Sequence, residues 1–581
     1  MMVGVFVKTT RRRRGDKTYE YLSLVEAVRD GERTGHRTLL RLGEVSALQD
    51  SGQLARIVAA LQHHLDLGRG GAVEVDVDVD VAALTAEAAR SVGATAAVAA
   101  MWRRLRLDDH FAAVGIERAA ELLPEAVLAM IANRLIDPCS KRRLPEWVAA
   151  DVVMPAGFEA PSLDQYYRAV DAVAAAKDTT EAKLYAALTD LTNLDLRLVC
   201  YDLTSTYFEG SPRPSARFPS KAFGYSRDHR GDRPQVVIGL LCTADGIPIA
   251  HHVFAGSTSD VSTLPDVLAD LQARFGVGKI CVVADRGLVS ADNVDVVAGH
   301  DFDHLIATRL HRDPTCAEAL TAATAPDALW VPVPAAHSAA CDVTLADGRR
   351  AVVVASAERH HRDTVRTAEL VARTETRLLA LEDRVRAGRL VDAGKIGRAA
   401  QRILGPCGVG HLFDIEIAEG RFVYHYNDDA FTYEELLAGR YVLITSLGFD
   451  HADTAQVVVA YRQLQHIEHR FRVLKDFLHL RPVRHWTERR VHGHIAMCVY
   501  AAVIEALITA ALATADIPDP DLPGQHLSAA RALRELARIR NVTLDAGDRR
   551  VDVVTRRTPL QARILDALEV DTASWDRAHI T

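Results

Sequence analysis

The chain has 581 residues, enough for two to four domains with cores of their own. Its content of 49% hydrophobic and 25% charged residues is that of soluble globular protein and excludes a disordered or fibrous chain. The formal net charge of −8 excludes attraction to nucleic acid by the global sum, so such a partner would have to be held by local basic patches.

Residues 1–70 carry basic Arg11 to Arg14 and Lys17 ahead of the strand-like YEYLSLVEAVR and RTLLRLGEV. The arginine run is either a solvated surface or an arm that touches phosphate. In MMVGVFVKTTRRRR the apolar residues precede the basic ones, the reverse of a secretory signal. Residues 73–81, VEVDVDVDV, alternate with period two, as in a strand with one acidic face or an acidic linker. From about Ala94 to Asp190 the pattern is helical and rich in Ala and Leu, interrupted at Asp137-Pro138 and Ala160-Pro161-Ser162. Arg103, Arg104, Arg106 and Lys141, Arg142, Arg143 give this region basic edges, which suit a nucleic-acid-reading domain or a plain helical bundle.

Near residue 195 the period changes. LRLVCYDLTSTYF (196–208) is a buried-strand pattern, and 234–254 reads as two strands joined through Ala244-Asp245-Gly246, a hairpin signal. A helix (about 261–275), the strand KICVVADRG (279–287), a short helix and the strand HLIATRL (304–310) follow. Three antiparallel strands, then helix, strand, helix and strand, is the order of an α/β ribonuclease-H-like core, a mixed sheet with helices. Residues 311–440 interrupt it with strands (341–355, 411–426) and a charged helical pair (about 357–404), a β-rich insertion. YVLITSL (441–447) returns as a strand and leads into one long helix, about Asp453 to Leu478. The C-terminal third is helical except for VDVVTR (551–556). Ile495 to Ala515 is long and apolar enough to raise a membrane span, but Glu505 at its centre favours a buried helix. The eight cysteines are scattered with no CxxC pair, which suggests neither a zinc site nor a disulfide framework. Cys200, Cys242 and Cys281 lie in apolar strands and read as core.

Three carboxylates stand out. Asp202 sits late in an apolar strand, where a carboxylate is costly unless paired or metal-bound. Asp285 follows CVVA at another strand end; at either place an aspartate also serves to cap a helix or start a turn. In AYRQLQHIEHRFRVLKDFL, Tyr461, Glu468 and Lys475 recur every seven residues, which on a regular helix drifts only about 20° per step. Arg472 falls in the same sector, beside an apolar stripe of Ile467, Phe471, Leu474 and Leu478. An ordinary surface helix with a Glu468–Arg472 pair gives the same spacing.

On these segments the chain resembles bacterial insertion-sequence transposases of the DDE superfamily, in the group marked by a Tyr-x2-Arg-x3-Glu-x6-Lys helix. Here that pattern reads Tyr461, Leu464, Glu468, Lys475, with leucine in place of the arginine. A long-chain subgroup shares YDLTSTYFEG (201–210), residues 224–260, VVADRGLVSADN (282–293) and residues 470–497; Ser257 stands where that subgroup has asparagine. The resemblance implies that Asp202, Asp285 and Glu468 are catalytic and hold two Mg²⁺ (or Mn²⁺) ions. Such ions activate a hydroxyl nucleophile and stabilise the leaving oxygen in phosphodiester chemistry. It also implies that Tyr461 and Lys475 contact the phosphate backbone. Arg472 and Arg484 are added as backbone contacts. Trp330, the one tryptophan of the insertion, is a candidate to stack on an extruded base.

The resulting expectation is an N-terminal basic region (1–90), a helical DNA-recognition domain (91–194), a catalytic core (195–310 and 441–485) split by an insertion (311–440), and a helical C-terminal region (486–581). The activity expected is metal-dependent cleavage at element ends and 3′-OH strand transfer into target DNA. The partners expected are double-stranded DNA, both terminal inverted repeats and target, and a second copy as a homodimer on DNA. No membrane is expected, and the setting is the cytoplasm and nucleoid. The alternatives are an inactive end-binding repressor and a nuclease of the same fold without strand transfer.

Overall fold

The computed structural model describes residues 5–14, 17–30, 33–50 and 85–580, apart from 119, 193–196, 210–217, 276–279, 286–295, 298, 309–312, 546–549, 574 and 576–578. The chain divides into two compact units, Met1–Val81 and Ala82–Thr581. The acidic alternation at 73–81 and the Arg286-Gly287 turn lie outside the described residues.

In the first unit β1 (Val5–Arg14), β2 (Lys17–Asp30) and β3 (Arg33–Glu44) form an antiparallel meander followed by the short α1 (Val45–Asp50). Arg11, Arg12 and Arg13 stand exposed on β1, opposite Glu20, Tyr19 and Thr18. The Arg11 guanidinium pairs with Glu20 at 2.5 Å.

The second unit is built on a nine-stranded mixed sheet. The strands β5 (Leu198–Tyr207), β6 (Gln235–Thr243) and β7 (Pro248–Ala255) are antiparallel. Gly246, at φ +77°, makes the turn between β6 and β7, as the sequence suggests. On the other side of β5, the strands β8 (Cys281–Ala284) and β9 (Asp303–Ala307) add in parallel. These strands follow the order expected above for the core, while the short helix expected between β8 and β9 lies almost wholly outside the described residues. The strand β15 (Arg440–Thr445) pairs with β9, and β10 (Trp330–Val333), β11 (Ser338–Thr344) and β12 (Arg350–Ala355) complete the sheet in the order β10-β11-β12-β15-β9-β8-β5-β6-β7.

Residues 311–440 therefore differ from a separate β-rich insertion. Their first three strands extend the main sheet, because β12 and β15 pair over six residues. What stands apart is mainly helical: a 30-residue helix (Ala357–Arg386) and a second one (Ala393–Leu404). A single ribbon of β13 (Phe413–Ala418) and β14 (Arg421–Tyr426) accompanies them around a small core of their own. The alternating FDIEIA and RFVYHY supply the strand pattern, but the arginine-rich helix dominates the length.

Side-chain alternation along β5 assigns its two faces. Val199, Tyr201 and Leu203 pack with Val267, Leu268 and Leu271 of the helix Leu264–Phe275. Cys200 shares the opposite core with Leu464, Ile467, Phe471 and Leu474, and so Asp202 points to that side. The helix expected over 453–478 is broken. Asp453 opens it with a capping box to Gln456, and it stops at Arg462. At Gln463 the bonding tightens to i→i−3, Gln463 N–H to Ala460 O and His466 N–H to Gln463 O. A second helix runs Leu464–Arg472 and widens into a π-helical turn over Val473–Phe477.

The apolar helix Glu488–Thr514 is long enough to cross a membrane, with a mean hydropathy of 2.2 over its best window, yet 83% of that window is buried within the protein. It packs on the helices Leu123–Ile136 and Leu163–Ala175, so the 91–194 region and the C-terminal region share one core with the sheet. Gly493 permits that closeness: a Cβ there would stand 2.1 Å from the Val170 carbonyl oxygen. Its buried Glu505 pairs with buried Arg470, two residues beyond Glu468. The end of the chain is less helical than expected. The strands β16 (Arg540–Asp545) and β17 (Arg550–Val554) pair with each other, and β16 also pairs with β4 (Thr85–Ser91).

A second buried ionic cluster ties the helix Lys177–Thr192 to β7 and the helix Leu264–Phe275. Glu181, 1% exposed, meets Lys177 at 2.8 Å, Arg274 at 2.7 Å and the His251 ring at 2.6 Å. Burial alone would raise the Glu181 carboxyl, but His251, Lys177 and Arg274 outweigh it and hold it at about 2. His251 is pushed down to about 4 by its own burial.

Candidate active site

The register of β5 and β8 sets Tyr201 beside Ala284, so Asp202 and Asp285, the next residues, lie level at neighbouring strand ends. Glu468 reaches the same place from the helix Leu464–Arg472, whose Leu464, Ile467 and Phe471 dock on the sheet. All three carboxylates line one cavity of about 500 Å³. Asp202 is half-buried, while Asp285 and Glu468 are exposed to the cavity. The Leu203 N–H donates to Asp202 Oδ1 at 2.7 Å. Burial pushes the Asp202 carboxyl up to about 7; the Leu203 N–H and Arg227 pull it down, and the charges of Asp285 and Glu468 push it further up.

Among the described residues no three His, Cys, Asp or Glu side chains are close enough together to enclose a metal ion. The donor set nevertheless fits a hard divalent cation. Three carboxylates face one cavity, and Asp202 carries a desolvated charge beside two like charges that a cation would offset.

The other expected residues divide. Tyr461 lines the cavity, with its hydroxyl donating to Asp285 Oδ1 at 3.4 Å and its ring 5.8 Å from that of Tyr441. Lys475 does not share that face. The π-helical turn changes the phase of the helix, and its Nζ meets Asp228 at 2.7 Å. Arg472 is exposed on the same helix, outside the cavity lining. Arg484 lines a different cavity. Trp330 also lies away from the carboxylates. Its indole N–H donates to the Ala323 carbonyl at 3.2 Å and its ring packs on the core beneath β10–β12.

Three cations in the cavity lining are not among the expected site residues: Arg359 and Arg362, from the first turns of the 30-residue helix, and Arg462. A regular helix sets Arg462 about 160° from Leu464, which argues against it as a replacement for the missing arginine. Arg359 lies 5.5 Å over the Tyr441 ring, and Arg462 donates to the Ala335 carbonyl at 3.4 Å. Local periodicity carries no signal for the first two, because the pairing of β12 with β15 brings their helix to the site. For Arg462 the signal was obscured by assuming an unbroken helix.

Residues 194–504, more than half of the chain, match the family model described as the transposase DDE domain. The chain belongs to the DDE transposase family. Residues 7–68 also match the N-terminal domain of IS1634 family transposases, so this is an insertion-sequence transposase, an enzyme of the DDE nuclease and transferase class. A solved structure titled as a piggyBac transposase synaptic complex with hairpin DNA is similar at 10% identity and a TM-score of 0.32, over 71% of this transposase and 70% of that chain. No curated protein matches. DDE transposases use divalent metal ions, in keeping with the carboxylate set of this cavity.

Proposed function

We propose that this transposase cuts DNA at the ends of its insertion sequence and joins the freed 3′-OH to target DNA, with Asp202, Asp285 and Glu468 as the metal-holding catalytic residues. The observation that carries this reading is the meeting of three carboxylates from three separate elements in one cavity edged by Arg359, Arg362 and Arg462. Two Mg²⁺ or Mn²⁺ ions bound there would supply activation of the attacking hydroxyl and stabilisation of the leaving oxygen. The protein's own part is positional and electrostatic. The β5–β8 register holds the two aspartates level, the docked helix holds Glu468, and Arg359, Arg362 and Arg462 in the same lining offset phosphate charge.

Several basic features support a double-stranded DNA partner despite the net charge of −8. The helical hairpin of the insertion surrounds a groove of about 410 Å³ with Arg377, Arg384, Lys395, Arg398 and Arg402 and no acidic residue. Tyr461, Arg472 and Arg484 are assigned to the DNA backbone. Lys475 is assigned to positioning, since Asp228 occupies it, and Trp330 is not assigned to base stacking. The working form is a homodimer that brings two element ends together.

The test is cleavage of a duplex carrying the terminal inverted repeat. Asp202→Ala, Asp285→Ala and Glu468→Ala are expected to bind it like the wild type and to lose Mg²⁺-dependent cutting. Unaltered cutting by any of the three would overturn the assignment. A wild-type protein that binds and never cuts would be an end-binding repressor. Cut ends that never become joined products would mark a nuclease without strand transfer.

A further inference from the structure

A second cavity, of about 350 Å³, opens between the segment after the helix Leu123–Ile136 and the turn that follows the Glu468 helix. Its lining holds Arg134, Lys141, Arg481 and Arg484, with His479, His485 and His494, and no carboxylate. Two of these cations are nearly inaccessible: Lys141 is 6% exposed and Arg134 is 7% exposed.

A buried ammonium without an anion is costly, and buried cations are as a rule paired. Arg481 has such partners in Asp228 and Asp476. Arg134 is satisfied by neutral acceptors, the carbonyls of Cys139 at 2.7 Å and of Leu478 and His479 at 3.4 Å. Among the described residues Lys141 is shown with one long contact, Nζ to His494 Nδ1 at 3.4 Å. The histidines supply no negative charge: burial holds His494 well below its ordinary range and His485 at about 3, so they are neutral, and His494 can only accept from the ammonium. Burial, and then Arg134, draws Lys141 down to about 7. The cavity thus gathers four basic side chains, of which Arg481 alone is shown with carboxylate partners among the described residues, and it has room for a tetrahedral oxyanion.

We propose that this cavity is a phosphate-binding pocket in which Lys141 and Arg484 hold one phosphate group, with Arg134 fixing the pocket wall. A phosphate of bound DNA and free phosphate share this chemistry; assigning it to DNA rests on the function proposed above, while the pocket itself does not. It would tie the 91–194 helical region to the same DNA that the Glu468 helix approaches, since both contribute to its walls.

The experiment uses the full-length protein in EDTA, so that cleavage plays no part. Wild type, Lys141→Gln and Arg484→Gln are titrated with inorganic phosphate against thermal unfolding, then with a duplex of arbitrary sequence at several salt concentrations. The wild type is expected to show saturable stabilisation by phosphate, and each variant to bind it about tenfold more weakly. If the occupant is a DNA phosphate, the slope of log K against log salt also falls by about one unit in Lys141→Gln. If only the phosphate response changes, the occupant is free phosphate. No phosphate response in the wild type together with an unchanged salt slope overturns the proposal. So does a Lys141→Gln protein that responds to phosphate like the wild type. Should Lys141→Gln fail to fold, Arg484→Gln, an exposed position, carries both measurements. Unaltered Mg²⁺-dependent cutting by Asp202→Ala, measured separately, together with an intact phosphate response would count against the catalytic reading and leave the pocket standing.

Discussion

Two carboxylates of this transposase, Glu181 fully buried and Asp202 half-buried, behave in opposite ways. Glu181 is enclosed by His251, Lys177 and Arg274 and is held at about 2. Asp202 faces Asp285 and Glu468 and is pushed up to about 7. Burial acts in the same direction on both, so the neighbours decide the outcome. The Glu181 cluster is electrically complete and serves packing. The Asp202 cluster is left wanting positive charge, which is what a site built to receive a cation requires.

The largest effect should come from removing charge on the incomplete side. Asp285→Ala is expected to cut Mg²⁺-dependent cleavage by more than ~10³-fold, about 4 kcal/mol of barrier, with folding stability by urea titration unchanged. A comparable loss of stability would sink the contrast. On the complete side, Glu181→Gln should leave cleavage chemistry alone in whatever folds and cost about 3–5 kcal/mol of stability, because Lys177 and Arg274 lose their buried partner. Chemical denaturation reads this directly.

Titration sharpens the comparison through its sign. The folded Asp202 keeps its proton between about pH 3.8 and 7 while the unfolded chain has lost it, so metal-free stability from this group falls as pH rises through that window. Asp202→Asn should then exceed the wild type in EDTA by on the order of 1–2 kcal/mol above pH 7, after discounting for partial exposure, and match it near pH 4. Glu181 and His251 are both depressed, so their stabilisation is present at neutral pH and is lost as pH falls, from about 6.5 for His251 and about 4.5 for Glu181. Metal binding should raise the melting temperature more at pH 8 than at pH 6 and release protons. Equal stabilisation at both pH values would contradict a proton–metal competition at Asp202. The smallest effect belongs to Tyr461→Phe. Its 3.4 Å contact to Asp285 is long, and the loss in cleavage should stay within about tenfold.

Much of the site was legible because its parts are local. The apolar runs before Asp202 and Asp285 mark the strands β5 and β8, and the stripe from Ile467 to Leu478 marks a helix that docks. The rest depended on contacts remote in sequence. Arg359 and Arg362 reach the cavity only through pairing of β12 with β15. A regular-helix projection placed Lys475 beside Glu468, but neither the tightening at Gln463 nor the π-helical turn leaves a mark on a heptad pattern. The strand Arg540–Asp545 went unseen because its partner, Thr85–Ser91, lies more than four hundred residues earlier.

The pair Arg470–Glu505 has a consequence for anyone dissecting this enzyme. A gene truncated after residue 485 would keep all three carboxylates, yet it would leave the buried Arg470 guanidinium, on the helix that presents Glu468, without its Glu505 partner and expose the apolar stripe beneath it. A catalytic fragment therefore cannot be excised by cutting where the motifs end. The C-terminal helix is a keel beneath the active site, and insertions or fusions belong beyond it.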